Sequence, residues 1–172
     1  MQFKSSFTAL AIIAATFAKA SVVPTDGVYT VGEDGKIIAS GPLPQAQTQN
    51  ITARGFPVSI EVGCSGSLDP TSTANAVIAL EAWCNAGGLV PGATHAYALV
   101  NGIQAYVCSY GGNNPCSNIE YSWAQQAWEA ECGTRWGTGF VYISAYAKTY
   151  GQGVYQPGGA CSNGAGSEFR VN

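Results

Sequence analysis

The sequence predicts an α+β fold: a two-layer α/β-sandwich in β-α-β-β-α-β order, with two helices on one face of an antiparallel sheet and disulfides stapling the layers. Three observations predict it. Apolar and polar residues alternate with a period of two over residues 56–62, 94–100, 102–108 and 140–148. Two stretches of helix formers, each opened by a capping residue, lie between those runs. All six cysteines fall between Cys64 and Cys161, close to the ends of these elements.

The chain has 172 residues, a single-domain length. Residues 1–20 carry a basic Lys4, an apolar run from Phe7 to Phe17 and the small-x-small ending Ala18-Lys19-Ala20, the pattern of a secretory signal. The run is too short to span a bilayer. Residues 21–54 are rich in Pro, Gly, Gln and Thr and lack Cys, so they read as a pro-segment or disordered arm. Asn50-Ile51-Thr52 is an N-glycosylation sequon. Arg54 precedes Gly55 as a processing site would, although a lone arginine also arises by chance. Residues 55–172 form the expected disulfide-bonded domain.

In that domain Phe56-Pro57-Val58-Ser59-Ile60-Glu61-Val62 reads as the first strand, with Val58, Ile60 and Val62 inward, and Gly63-Cys64-Ser65-Gly66-Ser67 as a turn. Asp69-Pro70 has cap-then-proline chemistry and starts a helix over 70–84, stopped by Gly87-Gly88. The second strand, 94–100, meets the third at Asn101-Gly102, a type I′ hairpin signal. Ser117-Asn118-Ile119-Glu120 has capping-box spacing, and Gly133 ends the helix it opens. The fourth strand runs over 140–148 with Val141, Ile143, Ala145 and Ala147 on one face. After Tyr150 a Gly-rich tail, tethered by Cys161, has too little apolar content for much structure.

An even cysteine count in an exported chain is most simply three disulfides. Running strand one upward puts Cys64 and the helix-ending Cys132 at the same pole, so these two are the favoured pair. Cys84, Cys108, Cys116 and Cys161 belong to the other pole. There Cys84 ends one helix and Cys116 opens the next, and pairing them leaves Cys108 with Cys161. This is one of the 15 pairings six cysteines allow.

From Gly55 onward three basic side chains face seven acidic ones, a net of −4. That balance disfavours nucleic acid or anionic lipid as partners. His95 is the only histidine and the thiols are oxidised, so neither a Cys–His nucleophile nor a metal cluster is expected. Asp69, the only aspartate after the arm, is spoken for as a cap. Most of the glutamates that could pair as glycosidase carboxylates lie on helices, where Glu is usually solvated. No phosphate loop or dinucleotide fingerprint is present. The expectation is a protein without cofactor or metal and without enzymatic activity.

Strand parity turns one sheet face toward the helices. The other face then carries Glu61, His95, Tyr97, Gln104, Tyr106, Phe140, Tyr142, Tyr146 and Lys148. Several tyrosines on an open sheet make an amphipathic surface able to stack on sugars or partner proteins. Tyr97, Tyr106, Tyr142, Tyr146, His95, Glu61 and Lys148 are therefore the candidate binding residues. The competing explanation is that tyrosine suits strands and that the tail covers this face. The same surface offers Glu61 and His95 as the acid–base pair of a small ribonuclease or hydrolase, given a nearby Arg135 or Arg170.

The combination of Gly63-Cys64-Ser65-Gly66-Ser67, Ile103-Gln104-Ala105-Tyr106-Val107 and Cys132-Gly133 resembles the killer toxin secreted by virus-carrying smut fungi. It also resembles the necrosis-inducing effector domains of plant-pathogenic fungi. The resemblance covers about residues 58–147. It implies a cysteine-bonded α/β-sandwich, secreted and non-enzymatic, in a family of toxins that block calcium uptake and of secreted virulence factors. The smut toxin is richer in cysteine and strongly basic, with a lysine important to its action. Here the domain is acidic and its one lysine is Lys148, so the fold expectation carries over and channel block does not. The expected protein is a monomeric fungal effector or killer-toxin-like factor that acts on a protein, channel or cell-wall target of another organism. A carbohydrate-binding module and the Glu61/His95 nuclease are the alternatives.

Overall fold

The computed structural model describes residues 24–32, 36–43, 60–156 and 160–161. The expected signal, the Asn50 sequon, Arg54 and the first residues of the expected strand one lie outside them. Among the described residues nine strands and two α-helices follow in chain order: β1 Gly27–Val31, β2 Ile37–Gly41, β3 Ile60–Ser67, α1 Pro70–Asn85, β4 Leu89–Val90, β5 His95–Val100, β6 Ile103–Ser109, β7 Asn114–Pro115, α2 Asn118–Cys132, β8 Gly137–Ile143 and β9 Lys148–Val154. Seven form one antiparallel sheet in the order β2-β1-β5-β6-β9-β8-β3, and β4 pairs with β7.

Both helices start as their sequences dictate. Asp69 accepts from the Ser72 amide at 2.7 Å with Pro70 behind it, and that bond holds the Asp69 carboxyl below its usual range. Ser117 accepts from the Glu120 amide at 3.3 Å. Gly133 closes α2 in the left-handed region, φ 72°. The β5–β6 turn takes positive φ at Asn101 and Gly102, as a type I′ turn requires. Ala76, Leu80, Tyr121, Ala124 and Trp128 of the helices share one core with Ala96, Ala98, Ala105, Val107, Val141, Ile143 and Tyr150 of the sheet. Both helices therefore lie on the same side.

Three corrections follow. The arm expected to be unstructured supplies β1 and β2, and Val28, Tyr29 and Val31 are buried; β1 adds to the free edge of β5 over five register pairs. The segment Gly63–Ser67, expected as a turn, continues β3 with Gly66 bulged out at φ 43°. The expected fourth strand is two: the chain reverses through the 3₁₀ turn Ser144–Tyr146, and Ala147 takes φ 46°. β9 then inserts between β6 and β8, so Gly151–Val154, expected to open a tail with little structure, belong to the central sheet.

Disulfides join Cys64 to Cys132, Cys84 to Cys116 and Cys108 to Cys161, the pairs that the element ends suggest. Each closes a loop of tens of residues and contributes roughly 3–4 kcal/mol by constraining the unfolded chain. Among the described residues no helix is long and apolar enough to cross a membrane.

Candidate functional site: the outer face of the sheet

The face turned away from the helices is organised in lateral rows. One runs Tyr29, Tyr97, Tyr106, Gly151, Phe140, Gly63 across six strands. Its two glycines leave room for rings. A Cβ at Gly151 would stand 2.4 Å from the Tyr106 ring and one at Gly63 2.1 Å from Phe140, so each aromatic lies over the bare backbone of the neighbouring strand. Tyr29 stacks on Tyr97 at 5.1 Å between centroids, and Tyr155 approaches Tyr97 from the end of β9 at 5.6 Å.

A second row runs His95, Cys108, Thr149, Tyr142, Glu61. The register places Glu61 and His95 on the same face but four strand spacings apart, about 19 Å. They cannot share a substrate proton. His95 is also 5 % exposed, its Nε2 has no partner among the described residues, and it lies stacked beside Tyr97. Burial pushes its pKa down to about 4, because the charged imidazolium would lose its water. Glu61, at the far edge, is exposed.

The seven candidate residues therefore separate into three groups. Tyr97, Tyr106 and His95 are buried, the two tyrosines in a cluster with Tyr29, Val31, Leu99 and Cys108 beneath Ala160. Cys108–Cys161 straps the tail over them, and burial raises the Tyr97 hydroxyl above its ordinary range. The face is covered at this end, as the competing explanation for its tyrosines has it.

Lys148 is corrected more sharply: it is on the helix side. The reversal at 144–147 resets the strand parity, so Lys148 pairs with Ile143 in the register and points where Ile143 points. Its ammonium donates to Glu120 Oε2 at 2.8 Å and to the Pro115 carbonyl at 2.7 Å. Tyr150 donates to the same Glu120 oxygen at 2.8 Å and accepts from the Ser117 amide at 3.0 Å. Tyr150 thus takes the place expected for Glu120 in the capping box. Burial, then the Glu120 charge, hold the Tyr150 hydroxyl well above its ordinary pKa.

Glu61, Tyr142 and Tyr146 make up the accessible remainder. Glu61 and Tyr142 face each other across the β3–β8 ladder, and Tyr110 meets Tyr142 edge-on at 5.9 Å. Tyr146 is 42 % exposed in the 3₁₀ turn, its ring 5.8 Å from the Lys148 ammonium. Gly111 and Gly112 of the adjoining loop are exposed. Sequence reading passed over Tyr110, although carrying the Tyr106, Cys108 alternation two residues further finds it. This rim can present aromatic rings, hydroxyls and one carboxylate to a partner.

Comparison of the chain with protein-family models, with curated proteins and with solved structures finds no match. Fold and site define its class as a disulfide-bonded α+β domain whose antiparallel sheet carries two helices on one side.

Proposed function

We propose that the chain is a secreted fungal effector or killer-toxin-like protein, a two-layer α/β-sandwich that acts without catalysis on the cells of another organism. Its target is a protein, channel or cell-wall component. The observation that supports the non-enzymatic part is the separation of Glu61 from His95 by four strand spacings, with the imidazole buried. The three disulfides support export, because such bonds persist in oxidising compartments. The rim of Glu61, Tyr110, Tyr142 and Tyr146 is the surface offered for binding, since tyrosine supplies contact area and a hydrogen-bonding tip at little entropic cost.

The test applies the purified, oxidised protein to yeast, filamentous fungi and plant leaves. Growth inhibition or cell death that survives His95→Phe but is lost in Tyr142→Ala or Tyr146→Ala supports the proposal. RNA cleavage abolished by His95→Phe would overturn it in favour of a nuclease. The carbohydrate-binding reading retains one specific support, the Tyr110–Tyr142 ring pair beside Glu61. Retention on chitin or glucan that disappears in Tyr142→Ala, without effect on cells, would favour it.

A further inference from the structure

The two basic side chains between residues 60 and 156, Arg135 and Lys148, sit in the same kind of seat. The Lys148 ammonium is 2.8 Å from the Glu120 carboxylate and 5.5 Å and 5.8 Å from the ring centroids of Tyr150 and Tyr146. The Arg135 guanidinium donates to Glu129 through Nε at 3.1 Å and Nη2 at 2.9 Å, and stands 5.8 Å from the centre of the Trp136 ring. In each seat a carboxylate supplies the opposite charge and an aromatic ring supplies its electron-rich face.

A third seat of this make lies on the outer rim. Glu61 and Tyr142 are direct partners in the β3–β8 ladder, which puts their Cβ atoms about 5 Å apart on one face. Tyr110 meets Tyr142 at 5.9 Å with the ring planes 71° apart, so the two rings form an angled wall beside the carboxylate. Glu61 is exposed, and both tyrosines are partly accessible. Glu61 also stands on β3, which ends the strand order of the sheet. Arg135 and Lys148 are both engaged by other carboxylates, so no basic side chain of residues 60–156 answers Glu61.

We infer that this third seat takes an arginine side chain of a partner protein, its guanidinium forked on the Glu61 carboxylate and laid against the Tyr142 and Tyr110 rings. Arginine is favoured over lysine because the exposed seat in this fold holds Arg135 and the buried one Lys148. A guanidinium is less strongly hydrated than an ammonium, and it can bond a carboxylate and stack on a ring at once. The charge balance works in the same direction: residues 60–156 carry six acidic side chains against two basic ones, which steers basic surfaces toward the domain. The inference rests on the rim being the binding surface, as proposed above, and names the chemistry of what it binds.

The experiment titrates the full, oxidised protein with N-acetyl-arginine amide at low salt and follows the ring resonances of Tyr110 and Tyr142 by NMR. Both should shift saturably, and the neutral isostere N-acetyl-citrulline amide and N-acetyl-lysine amide should bind at least about fivefold more weakly. Glu61→Gln should weaken arginine binding about fivefold. Tyr142→Leu, which keeps apolar bulk and removes the ring face, should weaken it about threefold. Glu131→Gln makes the same change of charge at an exposed site on α2 and should leave binding within about twofold. Absence of a saturable shift would overturn the inference. So would citrulline or lysine binding as tightly as arginine, undiminished binding in Tyr142→Leu, or equal losses in Glu61→Gln and Glu131→Gln. A chitin oligosaccharide that moves the two resonances where arginine does not would overturn it in favour of a sugar. The cell assay is read separately: arginine binding by a protein without effect on cells counts against the effector reading alone. Cell action lost in Tyr142→Ala, with no arginine binding by the parent, counts against this inference alone.

Discussion

The Lys148 ammonium stands 2.8 Å from the Glu120 carboxylate, and the contact ties the start of β9 to the first turn of α2. Lys148 is 2 % exposed and Glu120 21 %, so breaking the pair leaves one charge short of both partner and water. Lys148→Met is expected to lower the unfolding free energy by about 2–4 kcal/mol, with partial solvation of Glu120 limiting the loss. Adding Glu120→Gln should recover part of it, since no lone charge then remains. Urea denaturation of the three proteins decides; a Lys148→Met protein as stable as its parent would mean that the ammonium is solvated.

Buried His95 and half-buried Glu81 tilt stability with pH in opposite senses. His95 is held at about 4 against 6.5 when exposed, so the unfolded chain takes up its proton first. The stability it contributes is lost as pH falls from 6.5 toward 4. Burial pushes Glu81 up to about 7 from 4.5; here the folded state keeps the proton longer, and stability falls as pH rises from 4.5 to 7. Between about 4.5 and 6.5 the two slopes oppose each other. Melting temperature followed across that window should rise with pH in Glu81→Gln and fall with pH in His95→Phe. Two variants tilting the same way would refute the assignment.

The tail strap governs the tyrosine cluster. Cys161→Ser opens a loop closed over 53 residues and should cost about 4 kcal/mol in the chain-entropy account. Because Ala160 belongs to the cluster of Tyr29, Tyr97 and Tyr106 and Cys161 packs against it, dye binding to exposed apolar surface should increase below the unfolding transition. No increase would mean that the cluster stays covered without the bond.

Gly151→Ala probes the ring-over-glycine row. The added methyl would meet the Tyr106 ring at 2.4 Å and the Gly139 carbonyl at 2.8 Å, and the backbone cannot retreat from a central strand. A loss of about 2–3 kcal/mol is expected. Gly112→Ala, where nothing lies within 4 Å, should change stability by less than about 0.5 kcal/mol. Similar losses at both sites would deny the packing argument.

Binding and stability should part company along the tyrosines. Tyr146→Ala removes an exposed ring and should leave stability within about 0.5 kcal/mol while reducing action on cells. Tyr97→Ala empties a site that is 2 % exposed and should cost about 3–5 kcal/mol. Thermal melts alongside a cell assay separate the two; unchanged cell action in both Tyr142→Ala and Tyr146→Ala would remove the rim from consideration.

The elements that could be read locally were those whose signals sit within a few residues. Asp69-Pro70 and Ser117 carry their own capping atoms, Asn101-Gly102 carries its own turn, and period-two alternation sorted Ala96 from Tyr97 and Ala105 from Tyr106. The reversal after Ile143 has no such signal: Ser144-Ala145-Tyr146-Ala147 contains no Gly or Pro, and a non-glycine residue adopts the positive φ. Misreading it carried Lys148 to the wrong face and hid β9. The face of a tyrosine was legible, but its exposure was not, because Ala160 joins the cluster around Tyr97 from far along the chain.

By itself, then, the sequence determined the two capped helices, the inward and outward sides of β5, β6 and β8 and the cysteines that share an end of the fold, all matters of nearest-neighbour geometry. Only the tertiary structure decided that residues 27–41 join the sheet, that β9 lies between β6 and β8, and that His95 and Glu61 stand at opposite sides. Those outcomes depend on which backbone edges find each other, in several cases across tens of residues, as Val28 does with Ala98, and the free energy for that comes from shared burial, which no local pattern encodes.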